Sequence, residues 1–570
     1  MRYLIRLFPF IIFGFLIGLI IFPLLPPGFI LTMDLPPSDK QFISPVTSTD
    51  FFLSVIFYFF HLIIPNYIIQ KLILTIALTL SFWGMYRLVP VERNVSKLFA
   101  AIFYMINPYI YARLVSGQWL LVLGYSLLPW IISSVIQFFK NSSIRNILIL
   151  SLLFSLMVNI SLHFFALAVA FFLIYAVVLL IGSFPDFKRG VVGCLKLLGF
   201  ILLFNLNWII GNLVQGSTLW KTFSTIGPQD LSAFQSVADP TYGLIFNLLG
   251  GFGFWAEAYN YYISPKNLFP FWPAVTIVLV GLSLFGFYLS IKKNKSNVLA
   301  VTLGIFFLIS LNLAAGLALP NITSVILYLY EKLLILRGFR EPQKLIAIIM
   351  FCFAYFGSIG LERLEEIVQG KRRFISVVFI ILPLIYTLPI FFGFWGQLKP
   401  VFYPSSWEKV NQVLKEDKSD FLTLFFPWHQ YMRFKFANDR VVSNPALYYF
   451  AKPVISSQNY ETEYLYSHDT RLESLHVEGL LSIEKEGVNL LGDTVEGNLP
   501  WGESLSPINV KYIILAKDDD WVRYKFLDKQ PDLTKVYEDD DLVFYQNVKW
   551  EAKDKQLEEI NFDEPLAPLE

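Results

Sequence analysis

The side chains able to do charge or proton chemistry fall in a few short stretches of the first 394 residues. Asp34, in ILTMDLPPSDKQF, stands just beyond a long apolar run, and Pro36 and Pro37 stiffen the chain behind it. A carboxylate fixed there can act as general base on an acceptor hydroxyl; the plainer reading is a solvated aspartate at a helix end. Asp39 and Asp50 are the alternates in the same loop. Arg337, Arg340 and Lys344, in LRGFREPQKL, concentrate positive charge, and guanidinium forks match phosphate oxygens. The alternative for them is snorkelling onto lipid headgroups. In NPYIYARLVSGQWLLVLGY, Arg113 and Gln118 sit in a glycine-containing turn beside Tyr109, Tyr111 and Trp119, a setting for a phosphate or a sugar face, or for interfacial anchors. His163, in VNISLHFF, either reaches phosphate or packs in a turn. Lys221 and Glu257 belong to a long stretch containing GGFGFWAEAYNYY, which suits a flexible flap over a lipid or sugar site, or an interfacial helix.

The elements that must position these residues are membrane helices. The 570 residues are 55% hydrophobic and only 16% charged, with a mean hydropathy of +0.55, which excludes a soluble protein with a polar surface. The net charge of +1 hides a division: residues 1–394 carry 26 Lys/Arg and 13 Asp/Glu, residues 395–570 carry 19 and 31. The expected organisation is a transmembrane domain over 1–394 and a soluble domain over 395–570. About eleven apolar runs are long enough to span, near 7–31, 66–88, 98–115, 119–139, 144–160, 162–182, 191–213, 270–291, 297–318, 344–361 and 374–394. The first is too long, and lacks the cleavage site, for a signal peptide. FFLSVIFYFFHLII, ending at Pro65, reads as an interfacial or re-entrant helix.

Alternate loops divide the basic residues unequally, 16 against 8. The positive-inside bias then places the N-terminus in the cytoplasm, and an odd number of spans places 395–570 outside, in a plasma-membrane protein. Asp34, Arg113, Lys221, Glu257, Arg340 and Lys344 all fall on the outward side. Cys194 and Cys352 both lie in apolar runs, and no metal-ligand spacing, Walker A, HExxH or GxSxG motif occurs. No cofactor is expected. A dense basic patch outside the cytoplasmic loops is missing as well, which argues against nucleic acid. The tail reads as mixed α/β: SSWEKVNQVLKE as a helix with a Ser405/Glu408 capping box, FLTLFFP and VKYIILA as strands, LTKVYE and LVFYQNV as a hairpin around an acidic turn. Trp428, His429, Trp501 and Trp521 are either sugar-stacking or core residues.

The order of an acidic first outward loop, NPYIYARLVSGQWLLVLGY, a long aromatic outward loop, LRGFREPQKL before a late span and an extracytoplasmic α/β tail resembles the C-type membrane glycosyltransferases, the GT-C superfamily. It is most similar to the large prokaryotic arabinofuranosyl- and mannosyltransferase-like proteins. The resemblance implies transfer of a sugar from a polyprenyl-phosphate donor to a glycan, lipid or protein acceptor on the outer face, with inversion of the anomeric centre and no metal. It also implies that Asp34 occupies the position of the catalytic acid, that Arg340 and Lys344 match an RxPxK element near donor phosphate, with Arg337 beside them, and that Arg113 precedes the Gly-Gln-Trp turn. Gln118, Trp119, His163, Lys221 and Glu257 are the expected contacts to substrate. The competing functions are a non-catalytic polyprenyl-lipid binding or transport protein and a structural partner in envelope assembly.

Overall fold

The computed structural model describes residues 2–40, 43–182, 184–214, 226–293, 297–459, 461–462, 465–466, 471–489 and 500–551. The chain divides into two units, Met1–Val401 and Phe402–Glu570. The division falls a few residues past the compositional boundary, because Val401 pairs with the first unit: Phe29 and Val401 exchange backbone hydrogen bonds of 2.7 and 2.8 Å.

The first unit is helical. It opens with α1 (Arg2–Ile21), α2 (Phe51–His61), α3 (Asn66–Leu88), α4 (Asn94–Met105), α5 (Pro108–Val115), α6 (Trp119–Lys140), α7 (Ile144–Ile160), α8 (Leu162–Gly182), α9 (Phe184–Phe204) and α10 (Leu206–Val214). Helices over Trp272–Lys293, Val298–Ala315, Ile346–Ile367 and Arg372–Tyr386 complete the long elements. By length and composition, eight helices among the described residues can cross a membrane, or up to ten if each bent pair is one span. The bent pairs are α9 with α10, at 73°, and Phe374–Tyr386 with Leu388–Trp395, at 66°. The sequence expectation of about eleven differs by α7, whose 17 residues rise about 25 Å, the short end for a bilayer core.

Burial separates the centre from the periphery. The windows over Asn94–Val115 and Pro342–Ile367 are 100% and 89% buried, against 28% for the first helix, so the segments carrying Arg113 and Lys344 run through the middle of the unit. Close backbone approach builds that centre. A Cβ on Gly286 would lie 1.9 Å from the Phe356 carbonyl oxygen, and one on Gly360 2.3 Å from that of Leu282, so two small residues let Trp272–Lys293 and Ile346–Ile367 cross almost in backbone contact. Helix α2 stays short and has no buried residue.

The second unit is α/β. Its five-stranded sheet has the order β4-β1-β7-β9-β8, built from β1 (Leu422–Phe426), β4 (Val454–Ile455), β7 (Val510–Ala516), β8 (Leu533–Glu538) and β9 (Leu542–Asn547). β4, β1 and β7 run parallel, while β9 is antiparallel to β7 and to β8. Two small antiparallel pairs, β2 (Tyr431–Phe434) with β3 (Arg440–Ser443) and β5 (Glu461–Thr462) with β6 (Leu465–Tyr466), lie outside this sheet. The acidic turn of the β8–β9 hairpin closes on Asp539, whose Oδ1 accepts from the backbone N–H groups of Asp541 and Leu542. The expected capping box does not form: Ser405 is the first helical residue after Pro404, no side chain caps the helix, and Glu408 accepts from Tyr449 instead. Trp407, Val410 and Leu414 still bury one face of that helix. Trp428 and Trp501 are core, 5% and 0% exposed, which removes both as stacking surfaces; His429 pairs with Asp520 at 3.1 Å.

Candidate active site

Local backbone devices bring three distant segments together. The break between α4 and α5 is set by Asn107, whose Oδ1 accepts from Ile110 N–H at 3.1 Å while its Nδ2 donates to the Phe103 carbonyl at 2.9 Å, with Pro108 as the first helical residue. α5 then ends two residues past Arg113, and Gly117 adopts φ +93°. A Cβ on Gly117 would sit 1.9 Å from Thr32 Oγ1, so only glycine admits the first loop this close. The loop docks there: Asp34 N–H donates to the Ser116 carbonyl at 2.8 Å. Upstream, Gln70 grips Ile30 by both backbone groups, at 3.0 and 2.6 Å, and Lys71 donates to the Pro26 carbonyl at 2.5 Å. The Asp34 backbone is therefore held from both sides.

From Asp34 a chain of polar contacts runs across the unit. Gln118 Nε2 donates to Asp34 Oδ2 at 2.9 Å, and Gln118 Oε1 accepts from Arg113 Nη1 at 2.8 Å. The same Nη1 donates to Glu341 Oε2 at 2.7 Å, and Lys344 Nζ lies 3.9 Å from that oxygen. Lys344 Nζ and His163 Nε2 are 3.0 Å apart, and His163 Nε2 is 2.8 Å from the Gly338 carbonyl oxygen. Two carboxylates and two cations thus share one site, joined by an amide whose two ends face opposite charges.

The environment divides the carboxylates. Burial, then the negative charge of Glu341, pushes the Asp34 pKa up to about 6, against the opposing effects of the Gln118 hydrogen bond, Arg113 and Lys344. Burial acts on Glu341 in the same upward sense, but Lys344, Arg113 and Arg340 together outweigh it and hold Glu341 down at about 2. One acid is a fixed counter-charge; the other is tuned to exchange a proton near neutral pH.

Several expected roles change in this geometry. Arg113 is fully buried, stacked 4.0 Å from the Phe254 ring centroid, so it faces Glu341 and Gln118 rather than an open phosphate site. Trp119 is also buried and spends its indole N–H on the Leu114 carbonyl at 2.7 Å, which makes it packing rather than a substrate contact. Glu257 accepts from Ser264 at 2.6 Å and, with Asp239, pairs with Lys266 at 3.4 and 3.2 Å. That triad ties down the described part of the long loop, contrary to a loose flap. Arg337 donates to the Tyr330 carbonyl at 3.1 Å, and Arg340 lies over the Phe234 ring. Asp39 is exposed and Asp50 accepts from Ser44 at 2.8 Å. Lys221 lies outside the described residues. Glu341 carries the larger share of the site's ion pairing and was not singled out by sequence. Its signal was an acid between Arg340 and Lys344 in a cation-rich motif. Among the described residues no group of three or more His, Cys, Asp or Glu could hold a metal ion.

Residues 50–223 match the family described as alpha-(1->3)-arabinofuranosyltransferase, N-terminal GT-C domain. The match covers less than a third of the chain. Its fold is similar to the cryo-EM structure of arabinofuranosyltransferase AftD from Mycobacteria, with a TM-score of 0.60 at 14% identity over 94% of this chain and 39% of that one. A mutant of the same arabinofuranosyltransferase gives 0.58 at 13% identity over 95% and 41%. At these identities the likeness is one of fold, and the chain spans about two-fifths of the length of the structures it matches. No curated protein matches the chain.

Proposed function

We propose that this protein is a membrane glycosyltransferase of the GT-C type that takes a sugar from a polyprenyl-phosphate donor and passes it to an acceptor hydroxyl of a glycan, lipid or protein on the outer face. The observation that carries the reading is the Asp34–Gln118–Arg113–Glu341–Lys344 chain. Asp34, with a pKa near 6, takes the acceptor proton as the acceptor oxygen forms its bond to the anomeric carbon and the bond from that carbon to the donor phosphate breaks, with inversion. Lys344 and Arg340 supply positive charge for the departing phosphate, and Glu341 keeps that charge assembled before the donor arrives.

The contacts also constrain topology, since groups in hydrogen-bond range share one side of the bilayer. His163, at the start of α8, reaches Lys344, and Gln118, at the start of α6, reaches Asp34. An even number of crossings must separate Gln118 from His163, so α7 spans together with α6. An even number must also separate His163 from Glu341, so α9 and α10 count as one bent span. With Phe374–Trp395 as the second bent span this reading has eleven crossings, and the positive-inside bias, which supplies the direction, puts the second unit outside and the N-terminus in the cytoplasm.

Purified protein supplied with a panel of radiolabelled polyprenyl-phosphate sugars, beginning with arabinofuranose, tests the function. One donor should give a labelled acceptor with inverted anomeric configuration. Binding of polyprenyl phosphate without turnover of any donor would instead indicate a lipid-binding protein.

A further inference from the structure

The ion pair between Arg113 and Glu341 uses only one of the three guanidinium nitrogens. Arg113 Nη1 takes both Gln118 and Glu341, while Nε and Nη2 are buried with no hydrogen-bond partner. Two other residues nearby share this condition. Tyr109 Oη and Gln343 Oε1 are buried and unpartnered, although Gln343 Nε2 donates to the Phe234 carbonyl at 2.8 Å, which fixes the amide orientation and leaves Oε1 as an acceptor. Arg113, Tyr109 and Gln343 all line one cavity, together with Ala112, Gly251 and Phe254, and its volume is about 10 Å³. Arg113 and Gln343 are 0% exposed and Tyr109 2%.

Size and polarity identify the occupant. A cavity of roughly 10–15 Å³ on this measure admits one water and nothing larger, so neither a donor phosphate nor a sugar hydroxyl group reaches the far side of Arg113. The residues that line it carry donors that cannot accept (Arg113 Nε and Nη2), an acceptor that cannot donate (Gln343 Oε1) and a hydroxyl able to do either (Tyr109 Oη), all buried without a hydrogen-bond partner. A halide would accept from Arg113 and be repelled by the Gln343 carbonyl. Water alone does both, with two to four partners as buried waters require.

We propose that a single buried water bridges Arg113, Gln343 and Tyr109, and that Tyr109 and Gln343 are positioning residues which hold the guanidinium edge-on to Glu341. The remaining guanidinium donors are then satisfied, and a buried arginine left with open N–H groups would otherwise pull toward any competing acceptor. Through this water, residues that touch neither substrate nor Asp34 help to set the charge that Asp34 experiences. The effect on catalysis rests on the proposed transferase function; the water itself does not.

A high-resolution experimental map of the full chain in lipid nanodiscs and a kinetic comparison with Tyr109→Phe test the two parts separately. The map should show one density peak within hydrogen-bond distance of Arg113 and Gln343; an empty cavity, or density for a larger group, overturns the water. Tyr109→Phe keeps the ring over Arg113 and removes one hydrogen bond, so transfer should fall roughly three- to tenfold. The acid limb of the pH–rate profile should move to higher pH, because a loosened Arg113 neutralises Glu341 less. A water peak with an unchanged rate and limb overturns the positioning role. Failure of the wild type to transfer any sugar would fault the transferase reading and leave the density result standing.

Discussion

At the residue scale the site rests on unequal treatment of two acids. Glu341 lies between Arg340 and Lys344 in sequence and pairs with Arg113 in space at 2.7 Å, while Asp34 is crowded by protein and repelled by Glu341. A base with a raised pKa is active only when deprotonated, so transfer should rise with pH through about 6 and level off above. Glu341→Gln removes the repelling charge and releases Arg113 and Lys344 toward Asp34; both effects lower the Asp34 pKa. Its acid limb should therefore shift to lower pH while the maximal rate drops, which a pH series on the purified variant reads directly. Gly117→Ala places a methyl 1.9 Å from Thr32 Oγ1 at a backbone φ of +93°. That variant should lose about 2 kcal/mol of stability and most activity, measured as a fall in thermal melting temperature beside the transfer rate. Asp34, Gln118, Arg113 and Lys344 were legible in the sequence because polar groups beside apolar runs are few. The buried state of Trp119 was not, since an indole N–H that finds a carbonyl four or five residues back looks the same on paper as one that waits for a sugar.

At the scale of elements, short anchors fix what the long helices only approximate. Gln70 and Lys71 on α3 hold the segment from Pro26 to Ile30, and the α5–α6 turn receives Asp34 through Ser116. The described part of the long loop is pinned by Lys266, which pairs with Asp239 and Glu257 and lies over Phe252 and Trp272. Its Phe254 covers Arg113. Lys266→Met should release that cover: limited proteolysis should cut between residues 239 and 266 faster than in the wild type, and the transfer rate should fall. Equal cleavage rates would show that packing alone holds the loop. Glycine-rich aromatic sequence suggested mobility here, and the three charges that remove it are spread over 28 residues, from Asp239 to Lys266, a pairing that helical or strand periodicity does not reveal. Similarly, Ser405 and Glu408 have the spacing of a capping box, but Pro404 sets the helix start one residue early and the box has no N-cap hydroxyl.

At the scale of the whole molecule, hydropathy located nearly every helix but not which of them cross. α7 has only 17 residues and α9–α10 bends by 73°, so length and composition stop at ten; the side-chain contacts of His163, Lys344, Gln118 and Asp34 supply the parity that length lacks. Single cysteines placed at Asn141 and at Leu162 in a background without Cys194 and Cys352 check this. A membrane-impermeant maleimide applied outside should label the Leu162 variant and spare the Asn141 variant; equal labelling of both would mean that α7 does not cross. The orientation proposed from the charge bias puts the basic loops inside and the acidic second unit outside.

The most direct measurement is single-turnover transfer from a labelled polyprenyl-phosphate sugar by the wild type and by Asp34→Asn at pH 7.5, with donor binding measured in parallel. If Asp34 is the base, the variant should bind donor as the wild type does and transfer roughly 10²–10⁴-fold more slowly, with no acid limb near pH 6. Transfer at the wild-type rate by a folded Asp34→Asn protein would contradict the assignment of Asp34 as the catalytic residue.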